Sequence, residues 1–156
     1  VDCGFMSGTM RKELKFVPLC VDRMLALVPP KLLPSGCKTL PLEAISDIDF
    51  IIPGEGSNYD IGRILRTAGV RPRVKYSVSD DYAAVAMAEG GLGMTIVPEL
   101  ILKGIGGNRA AVELEPACTR TIGIAERSIG TGSPACAAFM RFTENWVKRH
   151  SEDAIQ

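Results

Sequence analysis

The apolar positions of this chain follow two spacings, one typical of buried strands and one typical of amphipathic helices. Short apolar runs bounded by Gly, Pro, Ser or Asn predict strands at residues 1–6, 24–28, 50–52, 73–78, 94–97, 112–114 and 121–126. Apolar residues that recur every three or four positions predict helices at 42–46 and 58–68, before Gly90, after Pro98 and after Ser133. Strands and helices therefore alternate along nearly the whole chain.

This alternation predicts an α/β fold with a mainly parallel sheet and helices on both of its faces. Gly69 follows the helix predicted at 58–68, and we expect it to end that helix in the left-handed conformation. The helix after Ser133 carries aromatic residues on an amphipathic pattern, namely Phe139, Phe142 and Trp146.

The clearest local pattern lies between Ser79 and Pro98. Ser79 or Asp80 can cap a helix, whose apolar face then comprises Tyr82, Val85, Ala86 and Met87. Three glycines permit a tight return into a buried strand, namely Gly90, Gly91 and Gly93. This arrangement positions backbone groups accurately and is typical of a sensing module rather than of a catalytic motif.

Composition and charge indicate a folded protein that does not itself bind DNA. The chain has 156 residues, of which 46% are hydrophobic and 23% are charged, so it can bury a sizeable core. Lys and Arg together number 18, as do Asp and Glu, and the cluster Arg71, Arg73 and Lys75 is too small to attract a phosphate backbone.

The five cysteines are widely spaced and include no CxxC pair, so they predict neither a disulfide framework nor a zinc site. We expect no metal and no cofactor. Free thiols indicate a reducing compartment, and no apolar stretch reaches the length of a membrane span, so a cytoplasmic location is expected. Packing as small hydrophobic residues explains the cysteines more simply than a redox sensor does.

Several segments, in order, resemble the effector-binding domain of LysR-type bacterial transcriptional regulators. They are residues 1–5 (VDCGF), 17–19 with 23–29 (VPL and RMLALVP), 40–45 with 50–52 (LPLEAI and FII), and 89–98 (EGGLGMTIVP). Each segment alone is a weak signal, whereas their shared order and spacing make the resemblance specific.

The resemblance implies a type II periplasmic-binding-protein-like fold with two lobes. Residues 1–28 and 125–156 would form an incomplete first lobe, and residues 29–124 the second. It also implies that a helix-turn-helix DNA-binding domain lies upstream of this chain, that DNA is contacted only through it, and that the intact protein is a homo-oligomer. Segments near 28–30 and 124–127 would absorb the change between lobe arrangements.

A ligand pocket is expected beyond the carboxyl ends of the strands, where helix N-termini present N–H groups. Three loops supply hydroxyls, an amide and bare backbone there, namely Ser7, Gly8 and Thr9, then Gly54, Gly56, Ser57 and Asn58, then Ser79. This set suits a small carboxylate or amino-acid-like effector. In the resembled family, the matching positions line the effector cleft.

Each of these residues has a simpler explanation. Ser57, Asn58 and Ser79 can be ordinary helix caps. Asp80 and Asp81 can be paired carboxylates for acid/base chemistry, but a cap and a first-turn acid explain them better, and an acid there disfavours an anionic ligand.

Two other functional classes remain open. A solute-binding receptor of a transport system has the same fold and would show a signal peptide upstream. A dehydratase or deaminase of similar fold would need a catalytic acid or hydroxyl in its cleft. His150 is the only histidine and lies in a charged stretch, and no dinucleotide fingerprint, Walker or GxSxG motif is present. We therefore predict that the chain is not an enzyme.

Overall fold

A computed structural model describes residues 2–8, 13–33, 36–54, 56–105, 111–127 and 133–151. The strands are β1 (Cys3–Ser7), β2 (Leu14–Leu27), β3 (Thr39–Pro41), β4 (Asp49–Pro53), β5 (Arg73–Val78), β6 (Thr95–Pro98) and β7 (Ala111–Arg127). The helices are α1 (Asn58–Ala68), α2 (Asp81–Glu89), α3 (Glu99–Ile105) and α4 (Pro134–Ser151), with short 3₁₀ helices at Pro30–Leu32 and Leu42–Asp47.

Most predicted elements are present, and α1 and β5 have the predicted bounds. Two strands are longer than predicted. The strand predicted at 24–28 begins at Leu14, and those predicted at 112–114 and 121–126 belong to the single strand β7. Pro18 and Pro116 lie inside these strands, and proline within a run argues locally against a strand.

The chain divides into two compact units. The terminal unit comprises Val1–Asp22 and Arg120–Gln156, and the central unit comprises Arg23–Thr119. Both boundaries fall inside long strands, in β2 and in β7. The boundaries implied by the family resemblance, after residues 28 and 124, lie a few residues further along. The assignment of these units to a first and a second regulatory lobe stays a prediction.

The strand directions correct the prediction of a mainly parallel sheet, because they are mixed. β4 pairs parallel with β5 and β3 pairs parallel with β7, whereas β1 pairs antiparallel with β7 and β2 pairs antiparallel with β6. The antiparallel pairs join strands that are distant in sequence. Several described elements separate the members of each pair, so a single crossover helix does not require them to run parallel.

The core of the central unit lies between its strands and the inner faces of α1 and α2. Its fully buried side chains include Phe50, Ile61, Met94 and Ile96. On α2 the buried face is Ala84, Val85 and Ala88, whereas the predicted face member Tyr82 is 63% exposed. Gly69 ends α1 as predicted, with a φ of 69°.

The terminal unit packs α4 against β1, β2 and β7 through Ile124, Cys136 and Met140. The aromatic residues of α4 instead face outward, and Phe139 meets Phe5 edge to face at 6.4 Å. Among the described helices, none combines the length and the apolar character needed to cross a membrane.

A buried ion pair joins β2 to β7 within the terminal unit. Arg120 donates from Nε to Asp22 Oδ2 at 3.0 Å, and its Nη2 lies 2.9 Å from the same oxygen. The Asp22 side chain is 1% exposed and the Arg120 side chain 12% exposed. Two donors on one shielded carboxylate hold the two strands together at the residues where the terminal unit ends on β2 and begins again on β7.

We expect Arg120→Met to lower the free energy of unfolding by about 3–5 kcal/mol, because it leaves the Asp22 carboxylate buried without its cation. Urea denaturation measures this change. Lys15→Met is the matched control, since Lys15 pairs with Glu126 in the same unit but is 67% exposed, and it should cost about 0–1 kcal/mol. Equal losses of unfolding free energy in the two variants would contradict a stabilising role for the buried Asp22–Arg120 pair.

Candidate functional site

The parallel pairing of β4 with β5 brings the starts of two helices to one edge of the central unit. Pro53 at the end of β4 lies opposite Val78 at the end of β5. The Gly54 N–H donates to the Val78 carbonyl at 2.7 Å. The loop before α1 and the loop before α2 therefore lie side by side, as expected where neighbouring parallel strands end.

A carboxyl group from α2 ties these two loops together. The Ser57 N–H donates to Asp81 Oδ2 at 3.2 Å and lies 3.4 Å from Oδ1. Asp81 is 7% exposed. Gly56 makes this approach possible, because it has a φ of 73° and a β-carbon at this position would collide with the Asp81 carboxyl.

Ser57 is the unusual residue of this edge. It occupies the N-cap position of α1 and is fully buried, yet its side chain makes no capping hydrogen bond. Within the described residues, the Ser57 Oγ has no hydrogen-bond partner. Most buried polar side-chain atoms have a partner, so a buried hydroxyl without one requires an explanation.

The other predicted residues of this edge have local roles. The Asn58 Nδ2 donates to the Gly54 carbonyl at 3.4 Å, and the Ser79 hydroxyl donates to Asp80 Oδ2 at 3.0 Å. Asp80 is the cap of α2, because its Oδ1 accepts the Ala83 N–H at 2.9 Å. Simple capping by their side chains therefore does not explain Ser57, Asn58 or Ser79, and that alternative is wrong.

The remaining predicted residues belong to the terminal unit. Ser7 is the last residue of β1, and the Gly8 N–H donates to the Thr121 carbonyl at 3.0 Å. Thr9 lies outside the described residues. The structure thus brings together Gly54, Gly56, Ser57, Asn58 and Ser79, and it places Ser7 and Gly8 at the end of a strand, as predicted.

The sequence prediction did not assign Asp81 the role that it has in the structure. A signal was available, because a glycine two residues before a helix often permits a close approach by another group. The partner could not be named from sequence, since Asp81 lies 24 positions after Ser57.

The chemistry of this edge is that of binding. It offers hydroxyls, backbone amides and two carboxyl groups, each of which accepts a backbone N–H. In the described part of the chain, no group of three His, Cys, Asp or Glu side chains could hold a metal ion. His150 is exposed and stacks on Trp146, with ring centroids 4.1 Å apart.

The cysteines lie in surroundings that disfavour the thiolate. Burial raises the pKa of the Cys20 and Cys118 thiols. Burial, together with the neighbouring Cys3 and Glu126, raises the pKa of Cys136 to about 11. Since the thiolate is the reactive form, these three thiols behave as small apolar groups at neutral pH.

We expect Ser57→Ala to leave the free energy of unfolding unchanged or to raise it by about 1 kcal/mol, because it removes a buried hydroxyl that has no partner. A capping serine would instead cost about 0.5–2 kcal/mol. Thermal or urea denaturation separates these outcomes. Asp80→Ala is the matched control, since it removes the observed cap of α2 and should destabilise the chain.

The pH dependence of stability should include a contribution from Asp80. The Ala83 N–H and the Ser79 hydroxyl lower the pKa of this carboxyl from its ordinary value of 3.8. Its stabilisation is therefore fully present above that value and is lost as the pH falls through the lowered pKa. Asp80→Asn keeps a capping oxygen but does not titrate, so it should lose less stability than the parent as the pH falls from about 5 to about 2. Denaturation curves at several pH values test this, and identical pH profiles would contradict it.

Comparison with known proteins bears on the family and on the fold. The family model described as LysR substrate binding domain matches residues 1–148. Among curated protein sequences, none matches this chain.

Solved structures show the same fold. The effector binding domain of QuiR, in complex with shikimate, has a TM-score of 0.75 at 20% identity, covering 96% of this chain and 73% of that one. The regulatory domain of CcmR from Synechocystis PCC6803, in complex with 2-PG, has a TM-score of 0.80 at 17% identity, covering 94% and 74%. Full-length CbnR complexed with its target DNA has a TM-score of 0.72 at 19% identity, covering 95% and 54%.

These identities show the fold alone, whereas the family model spans nearly all of the sequence. The predicted type II periplasmic-binding-protein-like α/β fold is confirmed. The chain belongs to the LysR substrate-binding domain family, and it is the effector-sensing domain of a LysR-type transcriptional regulator.

Proposed function

We propose that this domain senses a small carboxylate or amino-acid-like metabolite at the shared edge of β4 and β5. The observation that carries the proposal is the buried Ser57 hydroxyl, which has no partner among the described residues. A ligand that supplies the missing hydrogen bond would recover the desolvation penalty of about 1–3 kcal/mol that this group otherwise costs. The proposed contacts in this unit are Gly54, Gly56, Ser57, Asn58 and Ser79.

The charges of the edge narrow the class of ligand. The Asp81 carboxyl already accepts the Ser57 N–H at the start of α1, where a ligand carboxylate would otherwise be favoured. A second carboxylate beside it would be repelled, whereas an ammonium or hydroxyl group would be attracted. The edge therefore favours a ligand that carries an amino or hydroxyl group, such as an amino acid or a hydroxy acid, over a simple carboxylate.

The ligands of two solved structures with this fold support a small polar effector. Structures with this fold hold shikimate in QuiR and 2-PG in CcmR. Ser7, Gly8 and Thr9 stay in the proposed effector set on the sequence argument alone. Gly54 and Gly56 stay in the set as parts of the loop before α1, where Val78 and Asp81 lie against them in the structure.

Sensing requires that the effector bind one arrangement of the domain better than another, because a ligand with equal affinity for both shifts neither. We infer that segments near 28–30 and 124–127 absorb the change. DNA contact through a separate helix-turn-helix domain, homo-oligomerisation and a cytoplasmic location belong to the same proposal. The CbnR complex with its target DNA supports it by analogy of fold. The absence of catalysis is likewise proposed.

Isothermal titration calorimetry against matched pairs of ligands tests the proposal. Each pair is an α-amino acid and the acid that lacks only its amino group, for example alanine with propionate and leucine with 4-methylpentanoate. We expect the amino acid or the corresponding hydroxy acid to bind more tightly. Ser57→Ala should then weaken its binding roughly two- to tenfold, which is the value of one hydrogen bond.

Ser46→Ala is the matched control, because Ser46 is exposed in the 3₁₀ helix Leu42–Asp47, and it should leave the affinity unchanged. Binding that survives Ser57→Ala undiminished, or that Ser46→Ala weakens equally, would show that the site lies elsewhere.

A further inference from the structure

The central unit contains a cavity of about 510 Å³. It is not part of the effector edge, that is, the loops before α1 and α2 that carry the proposed effector residues of this unit. It lies between the 3₁₀ helix Leu42–Asp47, the C-terminal half of α1 and residues 116–119 of β7. Its volume falls within the range of about 300–1,000 Å³ typical of small-molecule pockets. All of its lining residues belong to the central unit.

This cavity is separate from the effector edge. None of its lining residues is among the residues proposed for the effector. The effector edge lies at the first residues of α1, whereas Thr67 and Ala68 line the cavity at its end. At a rise of 1.5 Å per residue, Arg63 lies roughly 8 Å and Ala68 roughly 15 Å along this helix from Asn58.

The walls of the cavity are largely apolar. Leu42 and Ile64 are buried core side chains, and Ala68, Pro116, Ala117 and Cys118 complete these walls. Burial raises the pKa of the Cys118 thiol, so at neutral pH this group is uncharged and adds to the apolar surface. An apolar group of moderate size is therefore the natural occupant of most of this space.

Arg63 provides the cation of the cavity. Its Nη2 donates to the Thr119 carbonyl at 2.9 Å and lies 3.6 Å from the Asp60 carboxylate. Both contacts are made by one nitrogen, whereas a guanidinium carries five N–H donors on three nitrogens. They hold the side chain against β7 and leave donors for a further acceptor. Glu43 is the one acid that lines the cavity, and it is exposed.

We propose that this cavity is a second ligand site, which binds a monocarboxylate with a compact apolar body. The carboxylate meets the Arg63 guanidinium, and the body lies against Leu42, Ile64, Ala68 and Pro116. Arginine suits a carboxylate because its planar donors match both oxygens. The exposed Glu43 carboxylate selects against a second negative charge on the ligand. This site does not depend on the proposed effector site, since the two share no residue.

NMR titration of the 156-residue chain tests this with three probes of one shape, namely 3-phenylpropanoate, 3-phenylpropan-1-ol and 3-phenylpropylamine. We expect the acid to shift the amide resonances of Arg63–Ala68 and Ala117–Thr119 at about 5 mM or below, and to bind about tenfold more tightly than the alcohol. Arg63→Gln should weaken binding of the acid about tenfold and leave binding of the alcohol within about twofold.

Arg66→Gln is the matched control, because Arg66 lies on the same helix, is exposed and does not line the cavity. Ala68→Phe should displace all three probes by filling the cavity, and thermal melting checks that each variant is folded. Shifts confined to other residues, tighter binding of the amine than of the acid, or equal losses in Arg63→Gln and Arg66→Gln would overturn the proposal.

Discussion

The parallel pairing of β4 with β5 is the constraint on which the candidate site depends. Because the two strands end at Pro53 and Val78, opposite each other, the helices that follow both begin at one edge. The hydrogen bond from Gly54 to the Val78 carbonyl continues this pairing past the end of β4. Without that register, Asp81 would not reach the Ser57 N–H, and no buried hydroxyl would be held beside it.

Some buried polar groups of this molecule have hydrogen-bond partners, and one has no partner among the described residues. Asp22 and Asp81 are shielded carboxyl groups that accept hydrogen bonds, from Arg120 and from the Ser57 backbone respectively. These contacts join elements that the chain separates widely, so they stabilise the tertiary structure. The Ser57 hydroxyl is shielded without a partner among the described residues. Proteins tolerate such a cost mainly at functional sites, which is why this atom indicates a ligand.

Much of the fold and part of the site could be predicted from the sequence. Periodicity predicts the bounds of α1 and β5, and a glycine after the helix predicts the left-handed Gly69. The order of strands and helices predicts the loops at residues 54–58 and at Ser79. The prediction was weaker where neighbouring residues mislead. Internal prolines made β2 and β7 appear shorter than they are. Serine and asparagine at the helix starts also suggested side-chain caps, whereas α1 has no such cap and α2 is capped by Asp80.

Most local elements, the family and the strand ends at which a ligand is expected can be read from the sequence, because they depend on residues within one or two turns of each other. Which distant groups meet depends on the tertiary structure. Asp22 and Arg120 are 98 positions apart, and Ser57 and Asp81 are 24 apart. The cavity beside Arg63 likewise needs three segments of chain. Contacts of this kind depend on how strands pair and helices pack, and no local pattern encodes that pairing.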